Sequence, residues 1–249
     1  MTYQWAVRFT GSNAPGWGRR FAYSLLFLLL TACGSFSPST QLLSELPPLQ
    51  YQGESLELEQ VKLRAPTPDL LALDEEMLDF VHRYTAGINS RRQRLHTLHR
   101  AVGGSATLGL EYDPFAGGTA LEAFHSQSAN CLSYANLFIA LAREVGLDAR
   151  YQWVDVRPSW TRMGERVAVR LHVNASVQVS ARDRYMVDLD PLPAREITGS
   201  QEIRDEDAQA LYHSNIAMDA LSQEELDLAW VHAMRALQLS PQMSHLWVN

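Results

Sequence analysis

Apolar residues recur at helical spacing most densely just behind Cys131. Ala135, Phe138, Ala142 and Val145 fall on one stripe, and Leu137 and Leu141 widen it. Ser128 and Asn130, residue types preferred at helix N-caps, stand before the cysteine, and Gly146 is the expected stop. The pattern predicts a helix buried along one face, with Cys131 in its first turn. Upstream, Leu70, Leu71, Leu73, Met77, Leu78, Phe80 and Val81 alternate with acids, which predicts a helical region from Pro68-Asp69 to Gly87. A second helix is expected from Ser90 to Val102, ending at Gly103-Gly104, with Leu95, Leu98 and Val102 on one side. Gly117-Gly118 is a break. Thr119-Ala120-Leu121-Glu122 then has the capping-box pattern of a short helix running toward His125, itself read as a surface or packing residue.

Beyond Arg150 the period changes to two. Tyr151 to Val156 alternates as a strand, and Pro158 to Gly164 reads as a loop. Val167, Val169, Leu171 and Val173 alternate with Arg170, His172 and Asn174 along what looks like one long strand reaching Gln178. A turn at Ala181 to Arg184 leads to a short strand, Tyr185 to Asp190, closed by Pro191. Two further helices are expected from Asp207 to Ala220 and from Gln223 to Leu239. Helices followed by an antiparallel sheet make an α+β protein, with a helical hairpin at its C-terminal end.

Charge and cysteine usage narrow the function. A net charge of −7 removes any electrostatic case for nucleic-acid binding. Two cysteines cannot make a metal site by themselves. His96 and His99 stand among Arg91, Arg92, Arg94 and Arg100 and read as a solvated basic face. Neither a metal nor another cofactor is expected. At the N-terminus, Arg19 and Arg20 precede the apolar run Phe21 to Leu30 and then Thr31-Ala32-Cys33, the layout of an export signal. The run is shorter than the roughly 20 residues a membrane span needs. Leu30-Thr31-Ala32-Cys33 resembles the lipobox of bacterial lipoproteins. That resemblance implies removal of residues 1–32 and acylation of Cys33. Gly34, where an Asp would direct otherwise, points to the outer membrane, facing the periplasm. Residues 33–67, rich in Ser, Pro, Gln and Glu, read as a tether. With Cys33 lipidated, Cys131 has no partner for a disulfide, and an exported protein with one free thiol invites a functional explanation.

A thiol in the first turn of a helix meets unpaired N–H groups and the positive end of the helix dipole, which favour thiolate. A cysteine there can also be mere packing. His172 lies on the other face of its strand from Val169, Leu171 and Val173, while Asp188 and Asp190 share a face of the next strand. An antiparallel hairpin would bring a carboxylate to the imidazole, completing the parts of a nucleophile, a base and an orienting group. Backbone N–H groups at the helix start, that of Cys131 included, could hold an oxyanion.

Asn130-Cys131-x-x-Tyr134-Ala135-x-Leu137-Phe138-x-Ala140-Leu141-x-Arg143-x-x-Gly146-x-x-Ala149-Arg150 resembles the nucleophile helix of the transglutaminase-like superfamily. His172 matches the family histidine, Asp188 sits at the family's usual distance beyond it, and Asp190, before Pro191, is the fallback. Ala129 stands where Gly is common, and Asn174 where many members have Trp. The resemblance implies a papain-like core over residues 68–200. It also implies acyl-transfer chemistry on a protein or peptide amide, with Cys131 as nucleophile, His172 as base and acid, and Asp188 as orienter.

In the C-terminal segment, residues 205–249, Ala229, Ala236 and Pro241 fall at the small-residue and proline positions of a tetratricopeptide repeat of about 34 residues. That resemblance implies a protein partner; the plainer alternative is a hairpin packed on the core, since a single repeat cannot stack. Two rival functions remain beside acyl transfer: a non-catalytic envelope scaffold or assembly factor, and a peptidoglycan amidase.

Overall fold

A computed structural model describes residues 38–157, 160–163, 166–169 and 171–248. The signal segment 1–32, Cys33 and Arg170 lie outside the described residues. Among the described residues no helix is long and apolar enough to cross a membrane.

The stretch expected as a tether folds from Pro38 onward. It carries α1 (Pro38–Ser44), the hairpin β1 (Leu49–Tyr51) and β2 (Glu54–Leu56), and α2 (Val61–Arg64). Its apolar residues are too sparse for a periodic signal, yet Leu43, Leu56, Val61 and Ala65 are all buried. They find cover on helices that lie far away in sequence, as described below.

Next come α3 (Glu75–Thr85), α4 (Arg91–Gly103), β3 (Glu111–Tyr112), α5 (Ala120–Ser126), β4 (Ser128–Ala129) and α6 (Cys131–Glu144). α3 starts later than its apolar pattern suggests, because Asp74 accepts from the Met77 N–H at 2.9 Å and acts as the N-cap. Ser90 caps α4, and Thr119 with Glu122 forms the capping box of α5. α6 departs from the one-faced helix expected: every residue from Leu132 to Ala142 is buried. Its polar members are therefore all hydrogen-bonded inside. Asn136 Nδ2 donates to the Gly118 carbonyl at 2.7 Å while its Oδ1 accepts from Tyr151 Oη at 2.7 Å. Gly146, with φ of +73°, turns the chain out of the helix in a conformation that side chains resist.

The strands are β5 (Asp148–Val156), β6 (Trp160–Met163), β7 (Arg166–Val169), β8 (His172–Gln178), β9 (Arg184–Val187) and β10 (Ile197–Ile203). The main sheet is antiparallel, in the order β10-β5-β8-β9. The single long strand expected before Gln178 is two strands with different partners. β7 pairs with β6, inside the presumed loop, whereas β8 joins the main sheet. Alternation runs on through the break, so the period alone could not show it. Val173, Ala175 and Val177 of β8 enter the core with α6, α4 and α5. His172, Asn174 and Ser176 occupy the alternate row and are buried as well.

α7 (Asp205–Ser222) and α8 (Leu226–Leu239) pack against each other, and the N-terminal stretch covers α8. Leu43 joins Ala210, Ala236, Leu237 and Leu246 in one cluster; Leu56 and Ala65 join Val231 in another. Thr67 Oγ1 meets His213 Nε2 at 2.9 Å and accepts from Arg235 Nε at 3.1 Å. The helices and antiparallel strands together give the α+β class.

Candidate active site

Cys131 is the first helical residue of α6, half-buried and free. The helix begins there because Asn130 is an N-cap in extended conformation. Its Oδ1 accepts from the N–H groups of Leu132 and Ser133, each at 3.0 Å. Ser133 Oγ returns the bond by accepting from Asn130 N–H at 2.9 Å and donates to the Ala116 carbonyl at 2.6 Å, which fixes the loop before α5 beside the cysteine. Tyr134 N–H is bonded to the Asn130 carbonyl. The several helix-start amides expected to face an oxyanion thus reduce to one, the Cys131 N–H, which the cap does not engage.

His172 opens β8, 4% exposed, and Asp188 follows the last residue of β9, its side chain 6% exposed. Val187 pairs with Ala175, so continuing that register sets Asp188 opposite Asn174, one place along the same row of β8 from His172. His172 Nε2 and Asp188 Oδ2 form a hydrogen bond, leaving Nδ1 as the ring nitrogen for the thiol. Burial pushes the His172 pKa down. The Asp188 hydrogen bond, then the hydrogen bond with Cys131 and the charges of both partners, outweigh it and raise the value to about 9. A positively charged ring is the stable form at neutral pH, with Asp188 on one side and the Cys131 sulfur on the other.

Asp188 is held from two more directions. Asn174 Nδ2 donates to Oδ2 at 3.3 Å, and the Asp190 N–H donates to Oδ1 at 3.3 Å. Of the two aspartates weighed from sequence, Asp188 is the one bonded to His172, while exposed Asp190 contributes this backbone amide.

Two neighbours escaped the sequence reading. Tyr134, buried on α6, shares a hydrogen bond of 3.2 Å with His99 Nδ1 of α4. His99 also packs edge-on against Phe138 and is no part of a solvated face. It follows Leu98 and lies one turn after Leu95, next to the buried stripe, a placement the surrounding arginines obscured. Burial, then the charge of His96, lower the His99 pKa to about 4 against the opposing pull of Asp188. Burial and the Asp188 charge raise that of Tyr134. Both are therefore neutral beside the charged pair at pH 7. His125 lies elsewhere, its Nε2 bonded at 2.6 Å to Asp74, the cap of α3. Among the described residues no group of three or more His, Cys, Asp and Glu side chains could hold a metal ion.

No curated protein and no solved structure matches the chain. The family model described as the transglutaminase-like superfamily matches residues 79–191, a span that runs from α3 past Asp188 and contains Cys131 and His172. The chain therefore carries a transglutaminase-like superfamily domain at residues 79–191.

Proposed function

We propose that this domain is a cysteine acyltransferase or hydrolase acting on a protein or peptide amide. The observation that carries the reading is the relay from Asp188 through a charged His172 to Cys131 at a helix start. The Cys131 thiolate attacks the amide carbonyl, and the Cys131 N–H faces the developing oxyanion. His172 Nδ1 gives its proton to the departing amine as the C–N bond breaks, leaving a thioester. An incoming amine or water then loses a proton to His172 and attacks, and the thiolate leaves. Amine gives a cross-linked product; water gives deamidation or hydrolysis.

Incubating the protein with a glutaminyl peptide and a small primary amine tests this. Intact mass should show a peptide thioester on Cys131, lost by peptide mapping in Cys131→Ser, and release of ammonia. Absence of any adduct or ammonia across a panel of peptide and stem-peptide amides would sink the enzymatic reading.

The scaffold alternative rests on the repeat-like α7–α8 pair. Burial of its Val231, Ala236 and Leu237 under residues 38–65 weighs against α8 as an open docking face. On the sequence of residues 30–33, we further propose that Cys33 is lipidated and holds the domain at the envelope.

A further inference from the structure

Two buried acceptors beside this site lack a partner: Asn174 Oδ1 and Gln152 Oε1. Asn174 is 1% exposed and Gln152 8%, so water does not compete for either oxygen. They belong to residues directly opposed on neighbouring strands, Gln152 of β5 facing Asn174 of β8. Such pairs have Cβ atoms about 5 Å apart, well within reach of two amide side chains.

The two amides differ in how firmly they are oriented. Asn174 presents Nδ2 to the Asp188 carboxylate; turned over, it would set oxygen against oxygen. Its Oδ1 must therefore point away from Asp188. Gln152 presents Nε2 to Ser200 Oγ of β10 at 3.1 Å, and a hydroxyl can serve as donor or acceptor. A half-turn of the Gln152 amide lets Oε1 accept from the Ser200 hydroxyl. The same turn puts Nε2 where the unpartnered oxygen was, available to Asn174 Oδ1. One rotation removes both orphans.

We infer that Ser200, Gln152, Asn174 and Asp188 form one hydrogen-bonded chain across the sheet, ending at His172, and that Gln152 and Asn174 are positioning residues for the Asp188 carboxylate. The protons run one way: Ser200 O–H to Gln152 Oε1, Gln152 N–H to Asn174 Oδ1, Asn174 N–H to Asp188 Oδ2. Asp188 then has three donors, Asn174, His172 and the Asp190 amide, which fix the oxygen that His172 uses. Asn174 thereby becomes part of the orienting machinery. Neither Gln152 nor Ser200 reaches the thiol in this scheme; they act only through Asn174.

The inference rests on the acyl-transfer reading of Cys131, His172 and Asp188, and the test separates the two. His172 is titrated by NMR of its ring in the full chain, wild type and the variants Asp188→Asn, Gln152→Met, Asn174→Leu and the Gln152→Met/Asn174→Leu double. The wild type should titrate well above 6.5 and Asp188→Asn should bring it down. Gln152→Met and Asn174→Leu should each lower the midpoint by about half a unit or more, because a freed carboxylate aligns less well with the imidazolium. The double variant should move no further than the larger single one, as expected of links in one chain. Gln152→Met keeps the volume of a residue remote from the thiol and carries the test if Asn174→Leu does not fold. An ordinary wild-type midpoint, unmoved in Asp188→Asn, would overturn the acyl-transfer reading. An elevated midpoint that falls in Asp188→Asn but stays at the wild-type value in Gln152→Met, or additive shifts in the double variant, would overturn the chain alone.

Discussion

The charged His172 ring makes a quantitative demand on stability. Its pKa stands at about 9, against 6.5 for an unperturbed histidine. At about 1.4 kcal/mol for each unit, that difference corresponds to about 3 kcal/mol favouring the folded state while the ring is protonated in both states. The sign follows from the upward shift. The stabilisation is fully present below pH 6.5, declines as the unfolded chain loses its proton first, and is gone once pH passes about 9. Asp188→Asn removes the negative charge and leaves only a neutral amide oxygen to accept from His172, which weakens the interaction that does most to raise the value without changing side-chain size. Urea unfolding at intervals from pH 6 to 9.5 should show the wild type losing about 3 kcal/mol from this group, and Asp188→Asn losing clearly less. The difference between the two proteins isolates the pair, since titrations elsewhere are common to both. Equal losses in the two proteins, or a wild type that gains stability over this range, would refute the ion pair.

Other perturbations have equally definite outcomes. Asn130→Ala should cost about 1–2 kcal/mol in chemical denaturation, because it strips the cap from the Leu132 and Ser133 N–H groups, whereas Asn130→Asp should keep most of that stability. Phe138→Ala, at a fully buried position of α6, should cost about 3–5 kcal/mol. On the acid side, His213 is completely buried, and its pKa is lowered to about 3 by burial, then by neighbouring His232 and Arg235. A lowered histidine stabilises the fold above pH 6.5 and ceases to do so as pH falls. His213→Leu should therefore be less stable at pH 7 but show a shallower decline between pH 6.5 and 4, measured by thermal unfolding. Removing residues 1–66 should uncover Val231, Ala236 and Leu237, lower the melting temperature and raise binding of a hydrophobic dye.

The sequence showed most clearly what local rules control. Asn130, Ser90 and the Thr119/Glu122 pair announce helix starts by capping chemistry, and each caps the helix it precedes. Alternation placed His172 on a strand, but Asp188, expected inside the next strand, comes just after the end of β9, and it is Asp188 rather than Asp190 whose carboxylate bonds His172. Non-local packing was hidden. Residues 38–65 have no period of their own because their few apolar side chains meet α8 from across the chain. β10 reads Ile-Thr-Gly-Ser-Gln-Glu-Ile, an edge strand too polar to announce itself, and it finds its place by pairing with β5. His99 looked solvated among arginines until α4 turned it onto Tyr134 and Phe138. The Asn174–Asp188 bond needs three-dimensional register and could not be read from spacing at all.

The central claim is that His172 and Cys131 act as one unit, and alkylation of Cys131 by iodoacetamide between pH 6 and 8 tests it most directly. The account predicts that the wild type keeps more of its rate at pH 6 than His172→Ala does, because the charged His172 ring stands beside the sulfur that must react. His172→Ala, lacking that charge, should lose far more of its rate between pH 8 and pH 6. Matching pH profiles in wild type and His172→Ala would contradict the account.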